Sequence, residues 1–392
     1  MSVRKRAWTT RRGEQREAWI VHYYDQAGRP HIQTFDKKKD ADAYHANVRV
    51  DVGKGIHTAP NNSITVASAA EQWLAYVELE GRERSTLSQY RAHVTHHILP
   101  RLGSVKLATL TTPQAQTFRD NLLRDLSRPL ARKVLVSFKS IIKDARRRGN
   151  IVHNVADGLK IDADKRGRNR VTIGTDVPTS DEIRRMIESA QGCWRPFLVV
   201  AAFTGLRASE LRGLRWSDID FRAKQLSVNQ RADAWGTIGH PKTHKSERTI
   251  PLGPFVINTL KEWRVACPKG KANLVFPGAD VEVESHDNVL RRGYWPTQIS
   301  AGVTTSSKPK YTGLHALRHF FASWCINRRK DGGLELPIKL VQERLGHSTI
   351  VMTSDVYGHL FPSRDDEAEL AAAERVLLSP VRETWKFPHE RG

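Results

Sequence analysis

The segment TGLRASEL, residues 204–211, is the first that could do chemistry. Gly205 permits a turn, after which Arg207 and Glu210 fall three residues apart on one face of a helix. An arginine at a helix start suits a phosphate, because backbone N–H groups and the guanidinium converge on one position. The same spacing also suits a purely structural arginine–glutamate pair, so both interpretations stay open for this segment alone.

A second candidate is the basic segment PKTHKSERTIPL, residues 241–252. Strand-like residues 225–228 and 248–250 bracket it, which predicts a hairpin whose long tip carries Lys242 and Lys245. A flexible basic tip can reach a nucleic-acid groove, but an ordinary solvated loop would have the same composition.

The segment LHALRHFFA, residues 314–322, places two imidazoles beside a guanidinium. On a helix, His315 and Arg318 share a face, and His315 and His319 lie at the i, i+4 spacing that could also hold zinc. No glutamate follows His315 as in HExxH, and no third ligand is obvious nearby. A cationic cluster is therefore favoured, with a metal site as the alternative.

The fourth segment is RLGHS, residues 344–348, followed ten residues after His347 by Tyr357. A tyrosine hydroxyl has a reference pKa of about 10, so it attacks poorly at neutral pH unless cations favour the phenolate or a base accepts its proton. A lone tyrosine is commonly a packing residue. Beside arginines and histidines, Tyr357 is a candidate nucleophile.

The elements that must position these residues form three predicted domains. Residues 1–60 indicate a small β-sheet with one helix, because strand-like runs at 18–24 and 31–35 flank a turn and a helical stretch follows to about Val50. Four aromatic residues could fill its core or stack on bases: Trp8, Trp19, Tyr23 and Phe35.

Residues 64–160 are predicted to be all helical, because apolar residues recur there at helical spacing. The predicted helices begin near Thr65, Ser85, Thr112 and Pro129. The basic end of the fourth helix suits phosphate contact.

The remainder is predicted to be a linker at 161–178, a mixed, mainly helical α/β catalytic domain at 179–365, and a C-terminal helix and tail at 366–392. The apolar face of that last helix could dock on a neighbouring protomer or pack back on its own chain.

The charge of the chain indicates a polyanionic partner. The 63 lysines and arginines exceed the 42 acidic residues, which gives a net charge of +21 that is spread over all three predicted domains. Neither a membrane-length apolar run nor a secretory signal is evident, and the three scattered cysteines form no CxxC pair. We therefore expect a soluble cytoplasmic protein with no membrane partner, and we favour DNA or RNA as the polyanion.

Together, these segments resemble the tyrosine recombinase family, specifically the phage and mobile-element integrases. TGLRASEL, the hairpin lysine, the HxxR motif, LGH and a late tyrosine occur in the family's order. The resemblance is strong over about 175–365 and looser before it. It implies a SAM-like core-binding domain at 64–160 and an arm-type DNA-binding domain at 1–60.

The resemblance also implies roles for six residues. Arg207 and Arg318 would clamp the scissile phosphate. His347 would donate a hydrogen bond to that phosphate, and His315 would act as an acid–base group or as a further donor. The lysine would protonate the departing 5′-hydroxyl, and the tyrosine would form a 3′-phosphotyrosyl intermediate without metal, ATP or other cofactor. In chain order the six are Arg207, Lys242, His315, Arg318, His347 and Tyr357.

The implied function is integration of a phage or mobile element through a Holliday junction. The implied partners are double-stranded DNA with core and arm attachment sites, a homotetramer on that DNA, a host DNA-bending protein and an excision-directing factor. Two alternatives stay open: DNA relaxation as by a type IB topoisomerase, and a non-catalytic DNA-binding relative.

Overall fold

The computed structural model divides the chain into two compact units, Met1–Arg166 and Gly167–Gly392. The structure describes residues 2–10, 13, 15–24, 28–53, 63–151, 153–162, 170–241, 246–361, 370–371, 374–375 and 377–378. Among the helices of these residues, we find none with the length and apolarity needed to span a bilayer.

The N-terminal residues form a three-stranded antiparallel sheet, β1 (Ser2–Thr9), β2 (Gln15–Tyr24) and β3 (Pro30–Phe35), followed by helix α1 (Lys38–Gly53). The register pairs Ser2 with His22 and Trp19 with Phe35. Val21, Tyr23, Ala41 and Val48 are buried between sheet and helix. This confirms the predicted small sheet with one helix, although Trp8 is 39% exposed and does not join the core as expected.

The next segment is all helical, as predicted. Its helices are α2 (Val66–Leu79), α3 (Arg84–His93), α4 (Leu99–Leu102), α5 (Thr112–Asp125) and α6 (Arg128–Arg147), with a π-helical turn at Val94–Ile98 and a 3-10 turn at Leu107–Thr109.

The caps of these helices follow the sequence closely but not fully. Thr65 caps α2 by accepting a hydrogen bond from the Ser68 amide, as expected. Helix α5 is capped by Thr111, not Thr112, because Thr111 and Gln114 make a reciprocal capping box. Helix α3 begins one residue before the expected cap Ser85. The core of this segment includes Trp73, Phe118 and Phe138.

The second unit contains the catalytic-domain elements. Its helices are α7 (Ser180–Ser189), α8 (Trp194–Thr204), α9 (Ala208–Arg212), α10 (Pro254–Ala266), α11 (His286–Asn288), α12 (Trp295–Ser300), α13 (His315–Ile326), α14 (Ile338–Leu345) and α15 (Ile350–Tyr357). Its strands are β4 (Ile219–Asp220), β5 (Gln225–Val228), β6 (Arg231–Ala232), β7 (Ile238–Gly239), β8 (Arg248–Pro251), β9 (Thr304–Thr305) and β10 (Lys308–Pro309). A π-helical turn covers Val289–Tyr294, and 3-10 turns cover Trp216–Asp218, Arg329–Asp331 and Gly358–Leu360.

The second unit contains a small antiparallel sheet in the order β4-β5-β8. Leu226 pairs with Ile250, and both side chains are buried in a core that also contains residues of α8, α13 and α14. Val171 and Val177 are buried in the same core. Thus residues 170–178, which were expected to be linker, pack against the domain that follows them.

The predicted C-terminal helix at 366–392 falls mostly outside the described residues. The described positions there are helical, and the side chains of Leu370, Leu377 and Leu378 are exposed.

Candidate active site

Arg207 stands at the turn between α8 and α9. Gly205 ends α8 with φ of +62°, and a Cβ there would lie 2.3 Å from the Phe321 ring, so the turn requires glycine. Arg207 is the N-cap of α9, and its amide donates to Glu210 Oε2 at 2.9 Å. Its Nη1 donates to Glu210 Oε1 at 2.7 Å and its Nη2 to the Gly346 carbonyl at 3.0 Å. The expected arginine–glutamate pair is therefore present, and it fixes the guanidinium beside the α14–α15 turn.

Glu210 is shared with a second arginine that the sequence analysis missed. Arg248, at the start of β8, donates to both Glu210 oxygens at 2.8 and 3.2 Å and to the Arg344 carbonyl at 2.8 Å. The side chains of Glu210 and Arg248 are only 3% and 5% exposed. Burial alone would raise the pKa of Glu210, but the charges and hydrogen bonds of Arg248 and Arg207 outweigh it and lower that pKa to about 2. The Glu210 carboxylate is ionised at neutral pH, and together with Arg248 it connects α9, β8 and α14.

Arg318 is the most buried cation of the site, at 1% exposure. It lies in the first turn of α13 and donates to the Gly205 carbonyl at 2.6 Å and to the Leu345 carbonyl. No carboxylate oxygen among the described residues lies within ion-pair distance of it. Burial lowers the pKa of Arg318 to about 9, and the charges of Arg207 and Arg248 add to the effect. The guanidinium still carries its charge at neutral pH, and among the described residues its hydrogen-bond acceptors are two backbone carbonyls, while the charge of Glu210 also favours its charged form.

His347 follows the left-handed residue Gly346, which ends α14 with φ of +62°. Its Nδ1 lies 2.9 Å from the buried hydroxyl of Thr353 on α15. In the described part of the chain, its Nε2 has no hydrogen-bond partner. Burial and the charges of Arg318 and Arg207 lower the pKa of His347 to about 3, so the ring is neutral at physiological pH.

Tyr357 ends α15 and is 1% exposed. Its ring stacks parallel to that of His347 at a centroid distance of 6.4 Å. Its hydroxyl lies 2.7 Å from Nδ1 of His319, one turn after His315 on α13. Burial raises the pKa of Tyr357 to about 12, although the charge of Arg318 acts in the opposite direction. In this geometry the phenol is protonated, so an attack requires a proton acceptor or a further cation.

His315 and His319 pack edge-to-face with ring centroids 4.5 Å apart. Partial desolvation and the charges of Arg318 and Arg207 lower the pKa of His315. Within the described ranges, we find no cluster of three histidine, cysteine or acidic side chains that could hold a metal ion. The Nδ1 of His319 contacts the hydroxyl of Tyr357.

The structure brings five of the six predicted residues into one connected network, whereas Lys242 lies outside the described residues. A cavity of about 170 Å³ opens over Arg207, Glu210, Ser246, Gly346 and Ser348. Its charged lining consists of Arg207, Arg231 and Glu210, whereas Arg318 and His347 do not line it. The residues that the sequence reasoning missed are Arg248, Thr353 and His319 as a partner of Tyr357. Of these, only His319 carried a signal, through its i, i+4 spacing to His315.

Two protein families match the chain. The family described as "Phage integrase family" matches residues 177–364, and the "Phage integrase, N-terminal SAM-like domain" matches residues 65–123. Together the matches cover more than half of the chain, and the first spans every element of the network above. The chain belongs to the tyrosine recombinase family. It is an enzyme of the site-specific recombinase and integrase class.

Curated recombinases are similar to this one over most of their length. A XerC-like tyrosine recombinase of Caldanaerobacter subterraneus subsp. tengcongensis is 27% identical, over 84% of this chain and 88% of the relative. An integrase of Streptomyces ambofaciens is 25% identical, over 88% and 90%. The ICEBs1 integrase of Bacillus subtilis is 24% identical, over 78% and 82%.

Solved integrase structures share the fold of the recombinase. The Tn1549 transposon integrase in complex with transposon right end DNA superposes with a TM-score of 0.61 at 20% identity, over 80% of this chain and 99% of that one. A lambda integrase tetramer bound to a Holliday junction superposes with a TM-score of 0.57 at 18% identity, over 88% and 95%. These likenesses confirm the mainly helical catalytic domain and the SAM-like domain expected from the sequence.

Proposed function

We propose that this recombinase cleaves and rejoins double-stranded DNA at attachment sites, with Tyr357 as nucleophile and the Arg207–Arg318–His347 cluster as the phosphate site. The observation that carries the proposal is Arg318. A guanidinium at 1% exposure, held by two carbonyls and by no described carboxylate, is costly unless an anion completes its coordination. A DNA phosphate would supply that anion.

The phosphate would be bound by donors on three elements. Arg207 precedes α9, Arg318 lies on α13 and His347 follows α14. When the Thr353 hydroxyl donates to Nδ1 of His347, the ring proton resides on Nε2, which then faces the site as a neutral donor. Fixed donors of this kind stabilise the extra charge of a pentacoordinate phosphorus without reorganisation.

The chemical step would be transesterification. Tyr357 Oη attacks phosphorus, the bond to the 5′-oxygen breaks, and the chain is left in a 3′-phosphotyrosyl linkage. Lys242 is the proposed acid that protonates the departing 5′-oxygen, and His315 would assist as donor or acid–base group. The covalent linkage conserves the energy of the phosphodiester, so rejoining consumes no ATP. Two arginines and a lysine supply the positive charge that metal ions provide in other phosphoryl-transfer enzymes.

The assembly would be a homotetramer on two duplexes that exchanges strands through a Holliday junction. The lambda integrase tetramer on such a junction and the Tn1549 integrase with transposon DNA are the related precedents. The net charge of +21 suits two extended duplexes. Residues 64–160 would contact the core site and residues 1–60 would bind arm sites. The element would be a phage or an integrative element, as with ICEBs1. A host DNA-bending protein and an excision-directing factor are further proposed partners.

The test is recombination between two attachment sites. One is the site of the element that carries the gene, and the other is the site in the DNA that receives this element. We expect joined products that carry one half of each site, without magnesium and in the presence of EDTA. Relaxation of a supercoiled plasmid without joined products would instead indicate a topoisomerase. DNA binding without either activity would indicate a non-catalytic relative.

A further inference from the structure

We propose that His319 is a catalytic residue that accepts the proton of Tyr357 during strand cleavage and returns it during rejoining. The inference rests on the proposed function, in which Tyr357 is the nucleophile. It adds a seventh residue to the predicted set of six.

The contact between the two side chains is direct and sheltered. Nδ1 of His319 lies 2.7 Å from Tyr357 Oη, and the rings meet at 62° with centroids 5.6 Å apart. Tyr357 is 1% exposed, so little water competes for its hydroxyl. Proton transfer between groups already at hydrogen-bond distance requires no rearrangement.

His319 also lines a cavity of about 620 Å³. Its charged and titratable lining includes Arg170, Asp176, Lys310, Tyr311 and His315. Burial and the charges of His315 and Arg318 together lower the pKa of His319 to about 4, although Asp176 opposes them. The ring is therefore neutral at physiological pH. With its proton on Nε2, Nδ1 is an acceptor aimed at the tyrosine.

The Tyr357 O–H bond breaks and a bond from that proton to Nδ1 of His319 forms, as Oη bonds to phosphorus and the bond from phosphorus to the 5′-oxygen breaks. The 5′-oxygen takes a proton from Lys242. Asp176 favours the imidazolium that this transfer creates. On rejoining, the 5′-hydroxyl returns its proton to Lys242 as its oxygen bonds to phosphorus, and the bond from phosphorus to Tyr357 Oη breaks as Oη takes back the proton from Nδ1.

The experiment measures single-turnover cleavage by the full chain between pH 6 and 9.5 on two versions of the attachment-site duplex. One version is ordinary DNA, and the other has sulfur in place of the 5′-bridging oxygen, which leaves without protonation. The test variant His319→Asn keeps a polar group near Nδ1 but cannot take a proton. His93→Asn is the matched control, because the buried His93 makes the same kind of contact, Nδ1 to Ser137 Oγ at 2.9 Å, in the helical segment.

We expect His319→Asn to cleave roughly 10²–10⁴-fold more slowly at pH 7 on both substrates, the range for loss of a general base. Its rate should rise about tenfold per pH unit, because hydroxide replaces the lost acceptor. The wild type and His93→Asn should have flat profiles across the range, since the pKa of His319 lies below it. Added imidazole, which fits the cavity beside position 319, should partly restore cleavage by His319→Ala.

Three results with His319→Asn would overturn the inference. They are cleavage at the wild-type rate, a reduction of the cleavage rate that is the same at every pH, and a reduction that disappears on the sulfur substrate. The second indicates a structural role and the third a role at the leaving group. If His319→Asn does not fold, failure of imidazole to restore soluble His319→Ala overturns it. Absence of any wild-type adduct would reject the proposed function itself, whereas a normal wild type with an unaffected variant rejects this inference alone.

Discussion

Arg318 and Arg207 both donate to carbonyls at the α14–α15 turn, but their environments differ. Arg207 pairs with Glu210 at 2.7 Å, although it shares this carboxylate with Arg248, whereas Arg318 is held by the Gly205 and Leu345 carbonyls. A phosphate that binds both would gain most from Arg318, because its charge is the less compensated and the more deeply desolvated. The two arginines therefore share one ligand but contribute unequally.

Arg318→Ala is expected to reduce the cleavage rate by about 10²–10³-fold, the range for loss of one fixed donor to a transition-state oxyanion. Arg318→Lys should recover only part of that loss, because an ammonium group cannot reach both carbonyls and the phosphate in the planar geometry of a guanidinium. Single-turnover cleavage of a core-site substrate measures both. Cleavage by Arg318→Ala at the wild-type rate would remove Arg318 from the phosphate site.

Glu210 is expected to stabilise the fold in a pH-dependent way. Its folded pKa of about 2 lies below the ordinary 4.5, so its contribution is full above pH 4.5 and is lost as pH falls toward 2. The shift corresponds to about 3 kcal/mol. Glu210→Gln should lower the free energy of unfolding by that order at pH 7, and the deficit should shrink by pH 3. Denaturant titrations measure it.

Glu343→Gln is the control for Glu210→Gln. Glu343 pairs with Lys339 at 3.3 Å on an exposed face of α14. Such surface pairs contribute roughly 0–1 kcal/mol. Equal effects of the two substitutions at pH 7 would contradict the assigned role of the buried carboxylate.

At the scale of elements, two turns and one strand end converge on the site: the α8–α9 turn, the α14–α15 turn and the start of β8. Arg248 joins them, since it contacts Glu210 on α9 and the Arg344 carbonyl on α14. Gly346 lets α14 end against this arginine, because a Cβ there would lie 2.9 Å from Arg248 Nη1. The backbone conformation of the α14–α15 turn and the position of the Arg248 side chain therefore depend on each other.

Gly346→Ala is expected to destabilise the protein and slow cleavage, whereas Gly332→Ala should only destabilise it. Both glycines end helical turns at positive φ, +62° and +79°, so each alanine costs roughly 1–2 kcal/mol of backbone strain. A Cβ at Gly332 meets nothing within 4 Å, but one at Gly346 displaces Arg248. Thermal unfolding and cleavage assays separate the effects. Wild-type cleavage by Gly346→Ala would show that the site tolerates movement of Arg248.

The sequence predicted the elements of the fold better than the partners within the site. Apolar periodicity located α2 and α6, and Thr65 was recognised as a cap because capping is local. Arg248 was missed because its role depends on Glu210, 38 residues away, and no spacing rule joins them. Trp8 was expected in the core, but the terminal strand β1 leaves it exposed, which hydrophobicity alone does not reveal.

At the scale of the whole molecule, each of the three hydrophobic cores belongs to a segment with its own role in our proposal: arm-site binding, core-site binding or catalysis. The small core of the N-terminal sheet, the helical core and the core of the second unit each comprise their own residues. All six predicted catalytic positions lie in the last segment. Removal of the N-terminal sheet should therefore leave the cleavage reaction intact.

Removal of residues 1–60 is expected to leave cleavage of a core-site substrate intact and to abolish binding to arm-type DNA. The segment carries a net positive charge, so the salt dependence of binding to long attachment DNA should become shallower as phosphate contacts are lost. Binding titrations on separate core and arm duplexes at several salt concentrations measure this. Unchanged arm-site affinity would assign the N-terminal sheet another purpose, such as contact between protomers.

The most direct test of the central claim is to trap and map the covalent intermediate. The protein is incubated with a nicked attachment-site duplex, from which the short strand with the 5′-hydroxyl dissociates after cleavage, so that rejoining cannot occur. The adduct is then digested with trypsin and nuclease. The peptide of residues 345–364 contains Tyr357 as its one tyrosine. We predict a nucleotide on that tyrosine in the wild type and no adduct, with nearly unchanged DNA binding, in Tyr357→Phe. A covalent adduct formed by Tyr357→Phe, or one mapped to another residue, would contradict the account.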